Sequence, residues 1–454
     1  MSLDEYIESL KNKRVTVVGA GISNRPLIKL LCANGVNVTV CDRSETLHEE
    51  LQGLPIHTNL GENYLDALDA DIIFRTPGLH PDAPALRKAR EDGCELTSEM
   101  ELFLRLCPCR AFAVTGSDGK TTTTSLVAAL LKEAGYRVHL GGNIGHPLLC
   151  ETPDIQPDDI AVLELSSFQL HSMVCHPDVA VITNMSPNHL DVHPNYADYI
   201  DAKKQIFRHQ AENGLLVVNE DNEISLSCAA EAKGVVRSFS RRHPVQNGFY
   251  CDESGMIIQS QNGERTKLMS ATKIPLPGVH NLENVLAALT AVNDLVDREA
   301  MISAVQGFTG VAHRLETVRV HKGVTYINDS IASSPGRTIA GLRCFEKKVI
   351  LVAGGKDKGL SFDESGPEIC KHVKSLYVTG MTAEKIRQAT QNAENYSEAL
   401  PIHVMEDFRE TVLAAAAEAE EGDVVLLSPA STSFDKFANF EERGNTFRRI
   451  VEAL

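Results

Sequence analysis

Residues 111–123 read AFAVTGSDGKTTT, an apolar run followed by a short glycine-rich turn and the start of a helix-like run. Gly116 and Gly119 let backbone N–H groups approach an anion without a Cβ in the way, and the helix N-terminus adds its positive dipole end. Lys120 suits a β/γ-phosphate, and the Thr121 hydroxyl suits a Mg²⁺ ion. The strict nucleotide-binding pattern has a further glycine where this chain has Val114, so we interpret the motif as a shortened phosphate loop. A tight turn with a surface lysine is the alternative.

Length, composition and charge bound the possible classes of protein. A chain of 454 residues predicts two or three domains. With 44 Lys+Arg against 61 Asp+Glu, the net charge of −17 is unsuited to holding a nucleic-acid backbone, so we expect no nucleic-acid partner. No signal-peptide core and no apolar run near 18 residues is present, which predicts no membrane span. The eleven cysteines are scattered, and we expect reduced thiols in a cytoplasmic protein.

The N-terminal segment predicts a β-α-β unit. Residues 14–19 predict a buried strand, residues 25–35 a helix, and residues 36–42 a second strand that ends in Asp42. An acid at this distance after a glycine turn is the placement expected for a ribose partner. Because Asn24 holds the place of the third glycine, a nucleotide site and a plain tight turn remain equally open. Ligands of parallel sheets lie at the carboxyl ends of strands, so Ser23, Asp42 and Thr76 are predicted to share one crevice.

The segment after the phosphate loop predicts further strands with polar ends. Glu164 closes a core strand, where a Mg²⁺ ligand belongs, although a capping or ion-paired glutamate is the alternative. The loop after the next strand carries polar side chains for which we favour a site role: Asn184, His189, Asp191 and His193. Residues 235–275 predict short antiparallel strands. Asn281 and Asn284 lie one turn apart at a helix start, which suits an adenine edge or, for one of them, a helix cap.

The last third of the chain predicts another parallel α/β sheet. A strand ends at Asn328-Asp329, a second is followed by Gly354-Gly355 with Lys356 and Lys358 beyond, and a third runs into the serine-rich SPASTSF. Glycine, serine and lysine at strand ends suit an anionic ligand. Such a domain beside a phosphate-loop domain suggests closure over substrates.

The motifs in chain order resemble those of the Mur ligases of peptidoglycan synthesis. They are TGSDGKTTTT, GGNIG, ELSSFQL, ITNMSPNHLDVH, AK..IF, GVHNLEN, HR, NDS and GG.DKG. The tail SPASTSFDKFANFEERGNTF is similar specifically to the member that adds D-glutamate. The match spans nearly the whole chain, and the combination is specific although each piece alone is not.

The resemblance implies an α/β fold of three domains and a ligation reaction. Residues 1–98 would form a Rossmann-like domain for the UDP-sugar, 99–309 a P-loop ATPase domain, and 310–454 a Rossmann-like domain for the amino acid. The implied reaction joins UDP-N-acetylmuramoyl-L-alanine to D-glutamate through an acyl phosphate, as ATP becomes ADP and phosphate. Two Mg²⁺ ions and CO₂, bound as a carbamate on Lys203, are the implied cofactors, and we expect a monomer.

The resemblance also implies the site residues. The ATP site would comprise Gly116, Ser117, Asp118, Gly119, Lys120, Thr121, Thr122, Asn281, Asn284, Arg314 and Asp329. The UDP-sugar would contact Gly19, Ser23, Asp42, Arg43, Thr76, Asn143 and Ser166, and the amino acid Lys358, Ser433 and Phe440. The metal ligands would be Thr121, Glu164, His189 and the Lys203 carbamate, with Lys120, His189 and Lys203 as the catalytic residues.

Two departures leave details of specificity open. Many relatives have a lysine where this chain has Ile331, so Arg337, Lys356 or Lys358 would have to replace it, or the amino-acid pocket differs. Arg43-Ser44 rearranges the polar pair that relatives use for uracil.

Three other functions compete with this one. A sister ligase, either another Mur ligase or a folylpolyglutamate synthase, is disfavoured by the SPASTSFDKF stretch. An NAD-dependent oxidoreductase built on GAGISN leaves the phosphate loop unexplained, and a nucleotide-gated binding protein leaves Glu164, His189 and Lys203 unexplained.

Overall fold

The computed structural model describes residues 1–66, 68–189, 192–276 and 278–454. Two compact units divide the chain, the first comprising residues 1–274 with 280–307 and the second residues 275–279 with 308–454. Among the described residues, no helix is both long enough and apolar enough to cross a membrane. The α/β class with three sheets is as predicted; the boundaries near residues 98 and 309 stay predictions.

The first sheet has five parallel strands in the order β3-β2-β1-β4-β5. In chain order its elements are α1 (Leu3–Leu10), β1 (Val15–Val18), α2 (Asn24–Ala33), β2 (Val38–Asp42), β3 (Ile56–Leu60), β4 (Ile72–Arg75), α3 (Pro84–Glu91), β5 (Glu95–Thr97) and α4 (Glu99–Leu106). β1 and β4 are buried at every position, which is why the sequence shows them as continuous apolar runs. Their carboxyl ends carry the glycine turn at Gly19 and the loop that begins at Thr76.

The second sheet, also in the first unit, has nine strands in the order β14-β13-β12-β11-β10-β9-β6-β8-β7. Its elements are β6 (Arg110–Thr115), α5 (Lys120–Glu133), β7 (Val138–Gly142), β8 (Ile160–Glu164), α6 (Ser167–Leu170), β9 (Val179–Ile182), α7 (Tyr196–Arg208), β10 (Leu215–Asn219), α8 (Glu223–Ser227), β11 (Val235–Ser240), β12 (Gly248–Cys251), β13 (Met256–Gln261), β14 (Glu264–Ser270), α9 (Val279–Val292) and α10 (Arg298–Gly307). β6 lies between β8 and β9, so the phosphate loop leaves the sheet from an interior strand.

The prediction of antiparallel strands over residues 235–275 is partly wrong. β11 pairs parallel with both β10 and β12, and only the pairings of β13 with β12 and with β14 are antiparallel. Alternation of apolar and polar residues reports one buried face, and such a face is compatible with either direction of pairing. These strands extend the nine-stranded sheet.

The third sheet lies in the second unit and has six strands in the order β15-β16-β20-β17-β18-β19. Its elements are β15 (Glu316–His321), β16 (Val324–Asn328), α11 (Pro335–Leu342), β17 (Val349–Ala353), α12 (Ser365–His372), β18 (Val373–Val378), α13 (Ala383–Gln391), β19 (Ile402–Val404), α14 (Phe408–Glu418), β20 (Val424–Leu427) and α15 (Phe440–Glu452). The predicted parallel sheet is correct except at its edge, where β15 forms an antiparallel hairpin with β16. A two-residue turn at Lys322-Gly323 makes that hairpin possible.

Candidate active site

The phosphate loop is a four-residue turn between β6 and α5. Gly116 has φ +152° and Gly119 has φ +77°, a region that side-chain-bearing residues rarely adopt. A Cβ on Gly116 would overlap the Thr183 hydroxyl, and one on Gly119 would overlap the side-chain oxygen of Asn284. Both glycines are therefore required by backbone angle and by space, as the motif predicts.

Neighbouring segments fix the loop through its backbone. Asn184 accepts hydrogen bonds from the backbone N–H groups of Ser117 (2.8 Å, at its carbonyl) and Asp118 (3.0 Å, at Oδ1). The Ser117 hydroxyl lies 2.9 Å from both the Ser186 carbonyl and the Tyr199 hydroxyl. Asn184, which the sequence singled out, thus shapes the loop directly.

Two lysines converge on one carbonyl of the loop. Lys120 Nζ donates to the carbonyls of Gly116 and Ser117, both at 3.0 Å. Lys203 Nζ donates to the same Gly116 carbonyl at 2.7 Å, and its side chain is 1% exposed on α7. Burial, reinforced by the Lys120 charge, lowers the pKa of Lys203 well below its usual value. Lys203 is thus a buried lysine that favours the neutral amine, which a solvated surface lysine would not do.

Glu164 ends β8 and presents one satisfied and one unsatisfied carboxylate oxygen. Asn143 donates to its Oε1 at 2.6 Å, and Oε2 is buried with no hydrogen-bond partner among the described residues. A buried carboxylate oxygen without a donor is costly unless a cation or ligand supplies one. Asn143 orients this carboxylate, and its predicted place near the UDP-sugar stays a prediction.

Of the other residues predicted for the phosphate-loop region, some lie near the loop and others form hydrogen bonds within their own segments. Thr121 is buried in the first turn of α5. His189 has φ +53° and its ring lies 5.0 Å from that of Phe168. Ser166 caps α6 in a reciprocal pair with Gln169, so its predicted contact with substrate competes with a local role. His193 faces Ser167 and Asp198, and Asp191 lies outside the described residues.

Asn281 and Asn284 lie on the first turns of α9, as predicted, but the structure gives Asn284 a contact that the sequence did not. Its Oδ1 accepts from the Thr123 hydroxyl at 3.3 Å, and its Nδ2 donates to Asn281 Oδ1 at 3.0 Å. Together with its closeness to Gly119, this makes Asn284 a support of the phosphate loop.

The glycine turn of the first sheet brings three of its predicted residues together. Gly19 has φ +87°, and a Cβ there would lie 2.6 Å from Thr76 Cβ. Asp42 Oδ2 accepts from the N–H of Ala20 at 2.6 Å, so the carboxylate closes on the turn. Ser23 begins α2 without a side-chain cap, and Arg43 is exposed beside Asp42. Gly19, Asp42 and Thr76 thus lie at one turn, and the crevice predicted for Ser23, Asp42 and Thr76 stays a prediction.

In the second unit, the predicted residues lie at the carboxyl ends of β16, β17 and β20. Asp329 accepts from the Ser428 hydroxyl (2.8 Å) and the Leu315 N–H (3.2 Å), and its burial raises its pKa to about 7. Lys358 is exposed and lines a small pocket with Lys356, Ser431 and Thr432. Ser433 is buried, and the Phe440 carbonyl accepts from the Ser330 hydroxyl at 2.8 Å. Arg314 follows His313, which has φ +63°.

Family models match this chain in three consecutive stretches. Residues 13–98 match the MurD-like N-terminal domain, 114–292 the Mur ligase middle domain and 313–431 the Mur ligase glutamate ligase domain. Proteins from Acetivibrio thermocellus and Ruminiclostridium cellulolyticum, both described as UDP-N-acetylmuramoylalanine--D-glutamate ligase, are 49% and 50% identical to it. Each alignment covers 100% of this chain and 99% of the relative. The chain belongs to the Mur ligase family.

Solved Mur ligases share the fold at low sequence identity. The MurC ligase of Thermotoga maritima superposes with a TM-score of 0.58 at 20% identity, covering 97% of this chain and 100% of that one. The MurF ligase of the same organism, solved in complex with ADP, gives a TM-score of 0.54 at 21% identity, covering 98% and 97%. The predictions of family and fold class are confirmed. As a Mur ligase, the chain is an ATP-dependent amide-forming ligase.

One buried arginine near the predicted amino-acid residues escaped prediction. Arg443 on α15 is 1% exposed and donates to the Ser330 carbonyl (2.9 Å), the Ser330 hydroxyl (3.0 Å) and the Ser431 carbonyl (3.1 Å). It ties the turn after β16 to the loop after β20, beside the pocket that contains Lys358. The signal was available in the sequence, because Arg443 falls on the same helical face as Phe447, Ile450 and Val451.

Proposed function

We propose that the protein joins D-glutamate to UDP-N-acetylmuramoyl-L-alanine, with ATP converted to ADP and phosphate, in the cytoplasmic stage of peptidoglycan precursor synthesis. Relatives at 49–50% identity over the whole chain carry that activity in their names. The observation within the chain that carries the proposal is the buried Lys203 on the Gly116 carbonyl of the phosphate loop. A buried lysine that favours the neutral amine can react with CO₂, which binding of nucleotide alone does not require.

The reaction needs activation of the substrate carboxylate, because a carboxylate has no adequate leaving group for attack by an amine. Transfer of the γ-phosphoryl group from ATP to a carboxylate oxygen of the alanine residue gives an acyl phosphate and ADP. The neutral amine of D-glutamate then attacks the acyl carbon, the C–O bond to phosphate breaks, and the nitrogen loses a proton. One amide and one phosphate result.

The phosphate loop supplies the positions for the first step. Residues 116–122 would hold the phosphates of ATP, with Lys120 on the β- and γ-phosphates. Thr121, Glu164 and His189 would hold Mg²⁺, and the unpartnered Oε2 of Glu164 fits a cation. Mg²⁺ bound there would neutralise charge on the transferring phosphoryl group. Asn143 would act by fixing the Glu164 carboxylate through its 2.6 Å hydrogen bond.

Lys203 would take up CO₂ as a carbamate and join the metal ligands. Only a neutral amine attacks CO₂, forming the N–C bond and releasing a proton, and burial of Lys203 favours the neutral form. The carbamate is an anion, and Lys120 on the same carbonyl gives it a cationic neighbour. Carbamate formation would convert the buried Lys203 amine into an anionic metal ligand in addition to Glu164.

Substrates would occupy the other two strand edges. We assign the UDP-sugar to Gly19, Ser23, Asp42, Arg43 and Thr76, in the domain of residues 1–98. We assign the amino acid to Lys358, Ser433 and Phe440 in the domain of residues 310–454, with Arg314 and Asp329 on the nucleotide. Arg337 donates to the Ile331 carbonyl at 3.2 Å, so it would supply the cation that Ile331 does not. We further propose that the protein works as a monomer.

The test is phosphate release from Mg²⁺-ATP with UDP-N-acetylmuramoyl-L-alanine, offering D-Glu, L-Glu, L-Lys and D-Ala in separate reactions. Release with D-Glu alone is the expected result. Release with another amino acid alone would keep the ligase chemistry and assign the difference in specificity to the amino-acid site of residues 310–454. Release with none of them would overturn the proposal.

A further inference from the structure

A cluster of metal-ligating side chains lies in the first unit and has no part in the proposed ligation. His80, His171 and Asp198 each offer one ligand atom, and these atoms lie within 4.8 Å of one another. His80 belongs to the loop after β4, His171 follows the last residue of α6, and Asp198 lies in the first turn of α7. Three separate segments of chain thus place the side chains together.

Two imidazole nitrogens of this cluster lack partners. His80 Nε2 and His171 Nδ1 are buried and have no hydrogen-bond partner among the described residues. Their rings lie 4.4 Å apart at 62°. Buried polar atoms are paired in most proteins, and an unpaired one costs free energy, so the orphan Nε2 of His80 indicates a missing partner. The orphan Nδ1 of His171 places the proton of that ring on Nε2, in its hydrogen bond to Asp198.

The cluster also has an outer layer of hydrogen bonds typical of metal sites. Asp198 Oδ2 lies 2.6 Å from His193 Nδ1, and His193 Nε2 lies 3.0 Å from the Ser167 hydroxyl. His193 is 2% exposed, so its ring is held in place. Outer-shell contacts of this kind fix the orientation of ligating carboxylates and imidazoles. The Asp198 carboxylate is therefore aimed at His171 by its surroundings.

We propose that His80, His171 and Asp198 form a binding site for a divalent transition metal of the Zn²⁺ class. Imidazole nitrogen suits Zn²⁺, Co²⁺ and Ni²⁺, whereas Mg²⁺ prefers oxygen ligands. Three protein ligands leave a fourth position for water. His171 would ligate through Nε2, which donates a hydrogen bond to Asp198 Oδ2 at 3.0 Å, and an ion that binds both atoms would replace that hydrogen bond.

Binding requires a local exchange at both histidines, because the ring proton of His171 lies on Nε2 in its hydrogen bond to Asp198 and would have to move to Nδ1. The Asp82 N–H donates to His80 Nδ1 at 3.2 Å, which leaves the ring proton on Nε2. For Nε2 to ligate, that proton must leave and Nδ1 must become the protonated nitrogen, so the bond from Asp82 is given up. A long hydrogen bond at the rim of a loop is weak, and because the ring proton only moves from one nitrogen to the other, His80 stays neutral and releases no proton.

A metal here would fasten the loop after β4 to α6 and α7. Arg75 already joins the same segments, since its Nη2 donates to the Phe168 carbonyl at 3.0 Å and its Nη1 to the carbonyls of Thr76 and Pro77, both at 3.2 Å. The Phe168 ring in turn contacts His189 and His193. The ion would therefore act as a structural clamp on segments that carry Thr76 and His189.

The test uses the full chain, freed of metal by a chelator, without nucleotide and with millimolar Mg²⁺ present to fill oxygen-rich sites. Co²⁺ is titrated while its visible absorption is recorded, and Zn²⁺ binding is measured by calorimetry. We expect an imidazole-type Co²⁺ spectrum, one Zn²⁺ equivalent, and an affinity about 10–100-fold weaker in His80→Ala. The matched control is His57→Ala, an exposed histidine on β3 that lies outside the cluster.

Three results would overturn the site. The first is the absence of a visible Co²⁺ band. The second is an equal Zn²⁺ affinity in His80→Ala and His57→Ala. The third is a bound Zn²⁺ equivalent that is lost in Glu164→Gln but kept in His80→Ala. The last result would assign the ion to the phosphate-loop region. Circular dichroism and thermal unfolding check the fold of each variant. If His80→Ala fails to fold, Asp198→Asn, which keeps the shape of the side chain, replaces it with the same expected loss. Because the readout is metal binding, it is independent of the ligation assay.

Discussion

The interior strands β6 and β17 end in the same way in two different sheets, and their surroundings differ in charge. Gly116 after β6 has φ +152°, and Gly355 after β17 has φ +151°. A Cβ on either would overlap a threonine of a neighbouring strand end, Thr183 in one case and Thr432 in the other. Both turns are thus closed by contact between a bare backbone and a threonine.

The ionisable groups behind the two turns have opposite tasks. Behind Gly116 lies Lys203, whose burial favours the neutral amine. Behind Gly355 lies Arg443, whose burial lowers its pKa only to about 10, so it stays charged. A lysine can lose its proton and react, whereas an arginine cannot at neutral pH. The comparison therefore assigns a reactive role to Lys203 at the carboxyl end of β6 and a positioning role to Arg443 at the carboxyl end of β17.

Replacing the reactive lysine should have the largest effect. Lys203→Ala should lower the ligation rate by about 1,000-fold or more, since it removes charge stabilisation in a buried site, while ATP binding persists. Short carboxylates such as acetate should restore part of the rate. The measurement is phosphate release together with nucleotide binding by calorimetry.

Lys204→Ala is the matched control for this variant, because Lys204 is the next residue and forms an ion pair with Glu231 at the surface. Its ligation rate should equal that of the parent. Full activity in Lys203→Ala would remove the carbamate from the mechanism, and the comparison would then assign no reactive group to the turn at Gly116.

The two closing glycines should be equally intolerant of a side chain. Gly116→Ala and Gly355→Ala should each destabilise their unit by about 3 kcal/mol, because overlap and an unfavourable φ combine. Gly21→Ala and Gly336→Ala serve as controls, since a Cβ at either position meets nothing within 4 Å. Their effects should stay within about 0.5 kcal/mol. Thermal unfolding of the four variants gives the answer, and equal losses in all four would refute the packing argument.

Shortening the positioning arginine should have an intermediate effect. Arg443→Lys keeps the charge but cannot reach Ser330 and Ser431 together, so buried carbonyls lose donors at a cost of about 2 kcal/mol. Hydrogen exchange of the turn after β16 should accelerate, and the KM for the amino acid should rise more than kcat falls. Arg449→Lys, at an exposed position on the same helix, should change neither quantity. An unchanged KM in Arg443→Lys would limit Arg443 to a structural role.

Sequence reasoning found the features that depend on neighbours in the chain. The phosphate loop, Glu164 at the end of β8 and the turn at Gly19 are local patterns, and the structure places each at the predicted strand end. Sequence reasoning could not find contacts between segments that are distant along the chain. Asn143 orients Glu164 and Asn284 lies against Gly119, contacts that no local pattern predicts, and the ligand contacts predicted for both residues stay predictions.

Strand direction was hidden from the sequence for a similar reason. β11 joins its sheet in parallel and β15 joins its own in antiparallel fashion, although alternation of side chains looks the same in both cases. Pairing partners are decided by the path of the chain between strands, which residue periodicity does not report.

The smallest effect should come from Asp329, the buried acid that follows β16. Burial raises the pKa of Asp329 from 3.8 to about 7, so between these values the folded protein holds a proton that the unfolded chain has lost. The contribution of this group to stability is therefore full below about pH 4 and falls as pH rises towards 7. Asp329→Asn keeps an acceptor for the Leu315 N–H. Its amide N–H would donate to the Ser428 hydroxyl, which donates to Asp329 in the parent and can donate instead to Thr338 Oγ1 at 3.0 Å, so the variant should match the parent near pH 5.

Above pH 6 the Asp329→Asn variant should become the more stable protein in the second unit. Amide hydrogen exchange of β16 and β20, corrected for the intrinsic effect of pH, measures the stability of the second unit locally. A local measurement is needed because burial also raises the pKa of Glu99 to about 7, which adds a pH dependence of stability of the same sign in the first unit. An identical pH dependence in variant and parent would mean that Asp329 is ionised in the folded state. The carboxyl end of β16 would then carry a buried ionised carboxylate, and the contrast with the neutral Lys203 would rest on Arg443 alone.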